Sequence, residues 1–415
     1  MEACILAIGD ELLEGRVDTN SSFLAQALDE VGWLIRETRQ CRDRHSEIVR
    51  SLEELSVLAP LVITTGGLGP TTDDLTTQSV AAWAGAQVIV NEAHWHWLQE
   101  RFLKRYGKET PPENIKQAQL PQGAQIIPNP VGVALGYVAE RDGRRVASFP
   151  GVPREMQAMV RETLQPLLRQ WAGRQEARVV RRLRIFGHTE SATNQLMHGI
   201  ADSISQVEIA YLVSYPEIHL FFKVTRPSRR EAERVADALA IEARRRLGDR
   251  VYGEGDELLE AVVGGLLKKR GWRVATAESC TGGLIAKRLT DISGSSAYFQ
   301  EGVVTYQNEA KTRVLGVAPA TLEKYGAVSA ETCAEMLEGL LVRTGAHVGI
   351  AVTGIAGPTG GTPEKPVGLV YIGWGSLDAS EVKEYQFYGS RDEIRLMTAG
   401  TALDKLRRFL LPQVG

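Results

Sequence analysis

Short apolar runs alternate with stretches of helical period along the first 170 residues, which predicts a βαβ series around a parallel sheet. Residues 3–8 read as the first strand. Residues 19–31 place Phe23, Leu24, Ala27, Leu28 and Val31 on one helical face, and Gly32 ends that helix. A second strand is expected at 33–41, a second helix at 45–58 and a third strand at 61–65. The third strand runs directly into Gly66-Gly67-Leu68-Gly69-Pro70. A hairpin follows at 136–149 around the turn Arg141-Asp142-Gly143-Arg144, and Pro153 opens a helix reaching about Trp171.

The polar residues 173–176 read as a linker. Beyond it, strand 183–186, helix 190–200, two strands around Tyr215-Pro216 and a long Arg/Glu/Ala helix describe a small α+β unit ending near Val251. That order resembles a KH-type fold by topology alone. It lacks the Gly-x-x-Gly loop that clamps phosphates in nucleic-acid-binding KH modules, so a structural or dimer-forming role is expected. From Asp256 a second α/β pattern begins, with a helix at 258–270 and strands at 273–277, 299–306, 347–353, 368–374 and 382–387. A final helix is expected at 391–410. The fold class is therefore α/β: two three-layer α/β domains (1–172 and 255–415) joined by a small KH-like α+β domain (173–254).

Composition narrows the partners. Of 415 residues, 43% are hydrophobic and 24% charged, which suits a globular chain. No apolar run reaches the roughly 18 residues of a spanning helix, and no basic-then-apolar leader opens the chain, so no membrane partner and a cytoplasmic location are expected. A net charge of −3 gives no global field for a nucleic-acid backbone, although arginines cluster at 174–184 and 226–245. Cys4, Cys41, Cys280 and Cys333 show no metal-like spacing and suit reduced thiols.

The first chemical constellation is Ala277-Glu278-Ser279-Cys280-Thr281-Gly282-Gly283, where a strand turns into a helix. Small residues permit a tight turn, and a helix start offers unpaired N–H groups, an arrangement that suits a nucleophile beside an oxyanion hole. A Ser there can instead be a helix N-cap. Tyr306-Gln307-Asn308-Glu309-Ala310-Lys311 and Thr353-Gly354-Ile355-Ala356-Gly357-Pro358 follow two further strands. Together these motifs resemble the nicotinamide-mononucleotide deamidase family. The resemblance implies hydrolysis of the nicotinamide carboxamide without a cofactor. Ser279 would be the nucleophile, Lys311 the base made available by burial, and Tyr306 the residue orienting one of them. The N–H groups of Cys280 and Thr281 are candidate oxyanion donors. Substrate phosphate is expected either at Thr281, Gly282 and Gly283 or on Thr353-Gly354. Cys280 is the rival nucleophile, since a thiol at a helix start has a depressed pKa.

The second constellation is Gly9-Asp10-Glu11-Leu12-Leu13-Glu14-Gly15, with Asp18-Thr19-Asn20, and the loop Thr65-Gly66-Gly67-Leu68-Gly69-Pro70-Thr71-Thr72-Asp73-Asp74. It reads as a phosphate loop entering a helix that carries two acids at its start, whose simplest alternative role is helix-dipole capping. It resembles the molybdopterin-binding domain family, and in its fuller form the competence/damage-inducible CinA proteins. That resemblance covers the whole chain and implies ADP-ribose cleavage to AMP and ribose 5-phosphate with a divalent metal (Mg, Mn or Co). Asp74 would be the catalytic acid, with Asp43 and Asp73 as further metal ligands. Gly66, Gly67, Gly69, Thr71, Asp10 and Asn20 would line the substrate. Glu155 is placed either as a helix cap or at the site. His94-Trp95-His96-Trp97 invites a metal reading, but the two histidines fall on different helix faces, and a packed surface helix is expected. The alternatives are a pterin-binding cofactor-assembly protein and a nucleic-acid-associated competence adaptor, while the partners expected under the enzyme reading are small nucleotides and a second copy of the chain.

Overall fold

The computed structural model describes residues 1–172 and 177–411; the linker expected at 173–176 lies outside the described residues. The chain forms two compact units, Met1–Val179 with Thr225–Ala232, and Val180–Val224 with the chain from Glu233 onward.

In the first unit, strand Glu2–Ile8 lies between Leu34–Cys41 and Leu61–Thr65. Arg144–Phe149, Gly136–Arg141 and Gln125–Ile127 then extend the sheet. The first four neighbours are parallel. The last two pairings are antiparallel, so the expected parallel sheet is a mixed one. The cause is local: Asp142 and Gly143 both take positive φ, 52° and 76°, and a two-residue turn of that kind folds a strand back on its neighbour. Alternation along Glu2–Ile8 builds two core layers. Cys4, Leu6 and Ile8 pack with Leu52 and Trp83 from helices His45–Leu58 and Thr76–Ala84. Ala3 and Ile5 pack with Leu28 of Thr19–Asp29 and with Met156 and Leu168, which lie beyond the sheet's opposite face. The helix from Pro153 to Trp171 passes through one π-helical segment, Val160–Leu164.

The KH-like sheet has the order Val207–Ser214, Glu217–Arg226, Ala177–Phe186, Val251–Glu254. Its last strand was not foreseen as an element, although it lies within the 173–254 bounds expected for the unit. The C-terminal sheet orders Phe299–Val304, Val274–Glu278, Val348–Gly354, Leu369–Gly375 and Ser380–Gln386. Its first three strands are parallel and the rest antiparallel. Helices Leu259–Arg270, Leu284–Thr290 and Arg391–Leu410 cover one face; Asn308–Leu315 and Ala330–Thr344 cover the other. The last of these was not foreseen from the sequence. It is seated by Gly339, where an added Cβ would lie 1.7 Å from the carbonyl oxygen of Leu315. Phe186 and Tyr252 of the KH-like unit enter the C-terminal core, and Tyr215 donates to the Glu393 carbonyl at 3.2 Å. No helix among the described residues is long and apolar enough to cross a membrane.

Candidate functional site

The C-terminal site forms where three strands end on one edge. Strand Val274–Glu278 delivers Ser279, whose N–H is held by the Val352 carbonyl of the neighbouring strand at 3.0 Å. The helix begins only at Leu284, with Gly283 as its N-cap and no side-chain cap, so Ser279 is not a capping residue. Glu278 does that work instead. Its fully buried carboxylate accepts from the N–H groups of Gly283, Ile285 and Ala286 at 3.0, 3.1 and 2.8 Å. Gly282 and Gly283 take positive φ, and their turn leaves the N–H groups of Cys280 and Thr281 with no protein acceptor among the described residues. These remain geometrically available as oxyanion donors. The Thr281 and Thr305 hydroxyls are buried beside them without partners.

Helix Asn308–Leu315 points Lys311 inward, leaving it 1% exposed. Its Nζ lies 3.2 Å from Ser279 Oγ, 2.8 Å from the Thr305 carbonyl and 3.3 Å from the Tyr306 carbonyl. Burial pulls the Lys311 pKa below its ordinary value, opposed by the Cys280 thiol. A neutral amine here would satisfy both its N–H bonds with the two carbonyls and turn its lone pair to the Ser279 hydroxyl. Cys280 goes the opposite way from the sequence expectation. Its turn precedes the helix by several residues, and burial pushes the thiol up to about 12, with Glu278 adding to the rise. Such a thiol stays protonated at neutral pH.

Tyr306 also differs from its expected part. Its backbone carbonyl holds Lys311, whereas its half-exposed ring reaches away and its hydroxyl accepts from Arg391 Nη2 at 3.0 Å. Arg391 also donates to the Gly357 carbonyl at 2.6 Å, and Arg395 Nη2 to the Thr281 carbonyl at 2.8 Å. The sequence reading missed both arginines. Their signal was present: two cations four apart in the first turns of a helix oppose the helix dipole and call for a reason. Thr353 is buried and donates to the Ala327 carbonyl at 2.6 Å, and Gly354 is packed so closely on Leu369 and Val370 that a Cβ would clash. Both therefore shape the loop that Arg391 pins.

In the N-terminal unit, glycines let backbones approach. A Cβ on Gly66 would lie 2.1 Å from the Ile8 carbonyl, on Gly67 2.2 Å from Thr76 Oγ1, and on Gly69 2.5 Å from an Asp74 carboxylate oxygen. The two acids are not at the helix start, because the helix begins at Thr76; they belong to the turn before it. There Asp74 accepts from the Thr71 N–H and hydroxyl at 2.8 and 2.5 Å, while Lys116 grips the Thr71 and Asp74 carbonyls. Asp73 is exposed. Asp43 accepts from the Asp10 N–H at 3.0 Å, and burial, with the charges of Asp10, Glu11 and Asp73, raises its pKa. Asn20 donates to Thr65 Oγ1 and the Gly151 carbonyl, both at 2.9 Å, and its own buried carbonyl oxygen has no partner in the cleft it lines. Among the described residues no group of three acidic, histidine or cysteine side chains is arranged to hold a metal ion, so Asp74, Asp43 and Asp73 do not assemble into the expected ligand set. Glu155 sits in the first turn of its helix and bonds Asn129 at 2.6 Å. His94 binds the Val133 carbonyl and lies tilted against the Trp97 ring, and His96 pairs with Gln99, consistent with a packed surface helix.

The fold and its sites define a class: chains with a glycine-loop α/β domain, a KH-like unit and an α/β domain carrying a buried serine–lysine pair. Family models match in that order, the "Probable molybdopterin binding domain" over residues 4–170, the "Damage-inducible protein CinA KH domain" over 180–253 and the "CinA C-terminal domain" over 256–410. A CinA-like protein of Geotalea uraniireducens (strain Rf4) is 41% identical over 99% of this chain and 98% of its own length. One from Geobacter sp. (strain M21) is 44% identical over 99% and 98%. The chain belongs to the CinA family. A solved competence/damage inducible protein from Agrobacterium tumefaciens is 47% identical over 36% of this chain and 93% of its own, with a TM-score of 0.36.

Proposed function

We propose that the C-terminal domain hydrolyses nicotinamide mononucleotide to nicotinic acid mononucleotide and ammonia. The observation that carries this reading is the buried Lys311 amine 3.2 Å from Ser279 Oγ, the pairing a serine amidohydrolase needs. Lys311 takes the hydroxyl proton as Oγ attacks the carboxamide carbon. The N–H groups of Cys280 and Thr281 receive the oxyanion. Lys311 then returns the proton to the departing nitrogen, which leaves as ammonia, and water hydrolyses the resulting ester. Arg391, on the rim beside Gly357, supplies charge for the 5′-phosphate. Ammonia release from nicotinamide mononucleotide by the chain and by Ser279→Ala tests this. Release by the parent alone supports it; release by neither rejects the substrate, and equal release rejects the nucleophile.

For the N-terminal unit we propose a binding site for a phosphorylated small molecule, with ADP-ribose as ligand. It rests on the unsatisfied Asn20 carbonyl oxygen in the cleft and the backbone-lined glycine loop. A divalent ion (Mg, Mn or Co) could activate water for cleavage, but the carboxylates do not fit a metal as arranged, and no step is assigned to one. The family description suggests a pterin as the rival ligand; titrating molybdopterin against ADP-ribose separates the two. A homodimer is proposed from the edge strand Val207–Ser214, which exposes Leu212 and Val213. Equilibrium ultracentrifugation giving a monomer would remove it. The KH-like unit has no Gly-x-x-Gly loop in its sequence, and nucleic acid is not proposed as a partner.

A further inference from the structure

We propose that the cavity under helix Glu92–Tyr106 is a separate binding site for a mononucleotide, an aromatic base carrying a phosphate. Leu98, Arg101, Phe102, Arg105 and Tyr106 recur at helical spacing on one face of this helix. An amphipathic helix normally presents such a stripe as apolar and covered. Here Leu98 is the only buried residue in the helix, and the stripe borders a cavity of about 270 Å³ open to solvent.

The stripe combines cations with rings. Phe102 and Tyr106 lie 4.6 Å apart between centroids; Arg101 lies over Trp97 and Arg105 over Tyr106. Neither arginine is in an ion pair among the described residues, although most arginines of this chain are. The one carboxylate on the cavity wall, Glu155, is tied to Asn129. It folds against Gly132 so tightly that a Cβ there would lie 1.9 Å from its oxygen. Two uncompensated guanidinium groups spaced one helical turn apart suit a phosphate, and the paired rings suit a base. On the facing wall, Asn114 donates to Gln117 Oε1 at 2.9 Å. That bond leaves an acceptor on Asn114 and a donor on Gln117 for the edge of a base.

The cavity shares no lining residue with the glycine loop, but segment Pro112–Ala118 connects them. It contributes Gln117 to the cavity and Lys116 to the Thr71 and Asp74 carbonyls. A ligand there would therefore be felt at the loop. The site stands without the ADP-ribose reading.

The test is calorimetric titration of the full chain with AMP, beside the Arg101→Ala/Arg105→Ala double variant, with the thermal unfolding transition as the control for folding. One saturable site in the parent, weakened at least tenfold in the double variant and partly restored by Arg101→Lys/Arg105→Lys, is expected. Tyr106→Ala should weaken AMP more than inorganic phosphate. Equal AMP affinity in parent and double variant, or no saturable binding by the parent, overturns the proposal. Competition between AMP and ADP-ribose would merge the cavity with the glycine-loop site and overturn a separate one, whereas AMP binding that ADP-ribose leaves unchanged supports it.

Discussion

The two α/β domains end their strands in loops of similar composition, yet the loops are built differently. At Ser279 the chemistry is assembled: a buried amine, a buried hydroxyl and free backbone donors converge, held by Glu278 within the turn and Arg395 behind it. At Gly66–Asp74 the backbone is set, but the charged groups are not. Asp74 is spent on Thr71, Asp73 is exposed, and Asp43 stands among like charges. An amide hydrolase needs no ion and can complete its site within one chain. A phosphate loop draws on its ligand's charge to complete its own.

The comparison breaks or sharpens at several points. The largest effect is expected from Lys311→Arg, which keeps a cation but removes the base; ammonia release should fall by about three orders of magnitude. Retained activity would mean that Lys311 only neutralises charge. Next comes pH. Because burial lowers the Lys311 pKa, the neutral amine accumulates below the ordinary lysine range of about 10.5, and kcat/KM should rise through that lowered midpoint. The same shift penalises the folded state at pH below the lowered pKa, where the amine must carry a buried proton. Lys311→Met should therefore be more stable than the parent at neutral pH while inactive, as thermal unfolding can show.

Gly339→Ala should cost about 1–3 kcal/mol and lower activity as well, since the Leu315 carbonyl it would strike lies at the end of the helix carrying Lys311. Denaturant unfolding checks the first part. The smallest effect belongs to the N-terminal side. Asp43→Asn keeps an acceptor for the Asp10 N–H and removes the like-charge contact, so stability at pH 7 should rise by roughly 0.5 kcal/mol. Because the Asp43 pKa is raised in the fold, that gain should vanish as pH falls below the ordinary carboxylate range. A gain that persists in acid would show that charge is not its source.

Much of this was legible in the sequence. Helices His45–Leu58 and Arg391–Leu410 and strand Leu61–Thr65 fall where periodicity places them, because each has a clean apolar face or run and clear ends. Ser279 and Lys311 were found as motif residues, though no spacing rule shows that positions 32 apart meet. What escaped was tertiary. Helix Ala330–Thr344 depends on a glycine contact with another helix, and Arg391 and Arg395 reach the site only because their helix packs back across the sheet. The Cys280 thiol misled because the turn ends later than the glycines suggest, so burial rather than a helix dipole sets its pKa. The acids of the glycine loop misled for a related reason: their side chains serve the turn.

The central claim is that Ser279 forms the bond to substrate. Rapid acid quench of the chain during turnover of nicotinamide mononucleotide, followed by peptide mass analysis, reads it directly. The account predicts a hydroxylamine-labile acyl adduct on Ser279 that is absent from Ser279→Ala, whereas an adduct on Cys280, or turnover with equal ammonia release by Ser279→Ala, would contradict it.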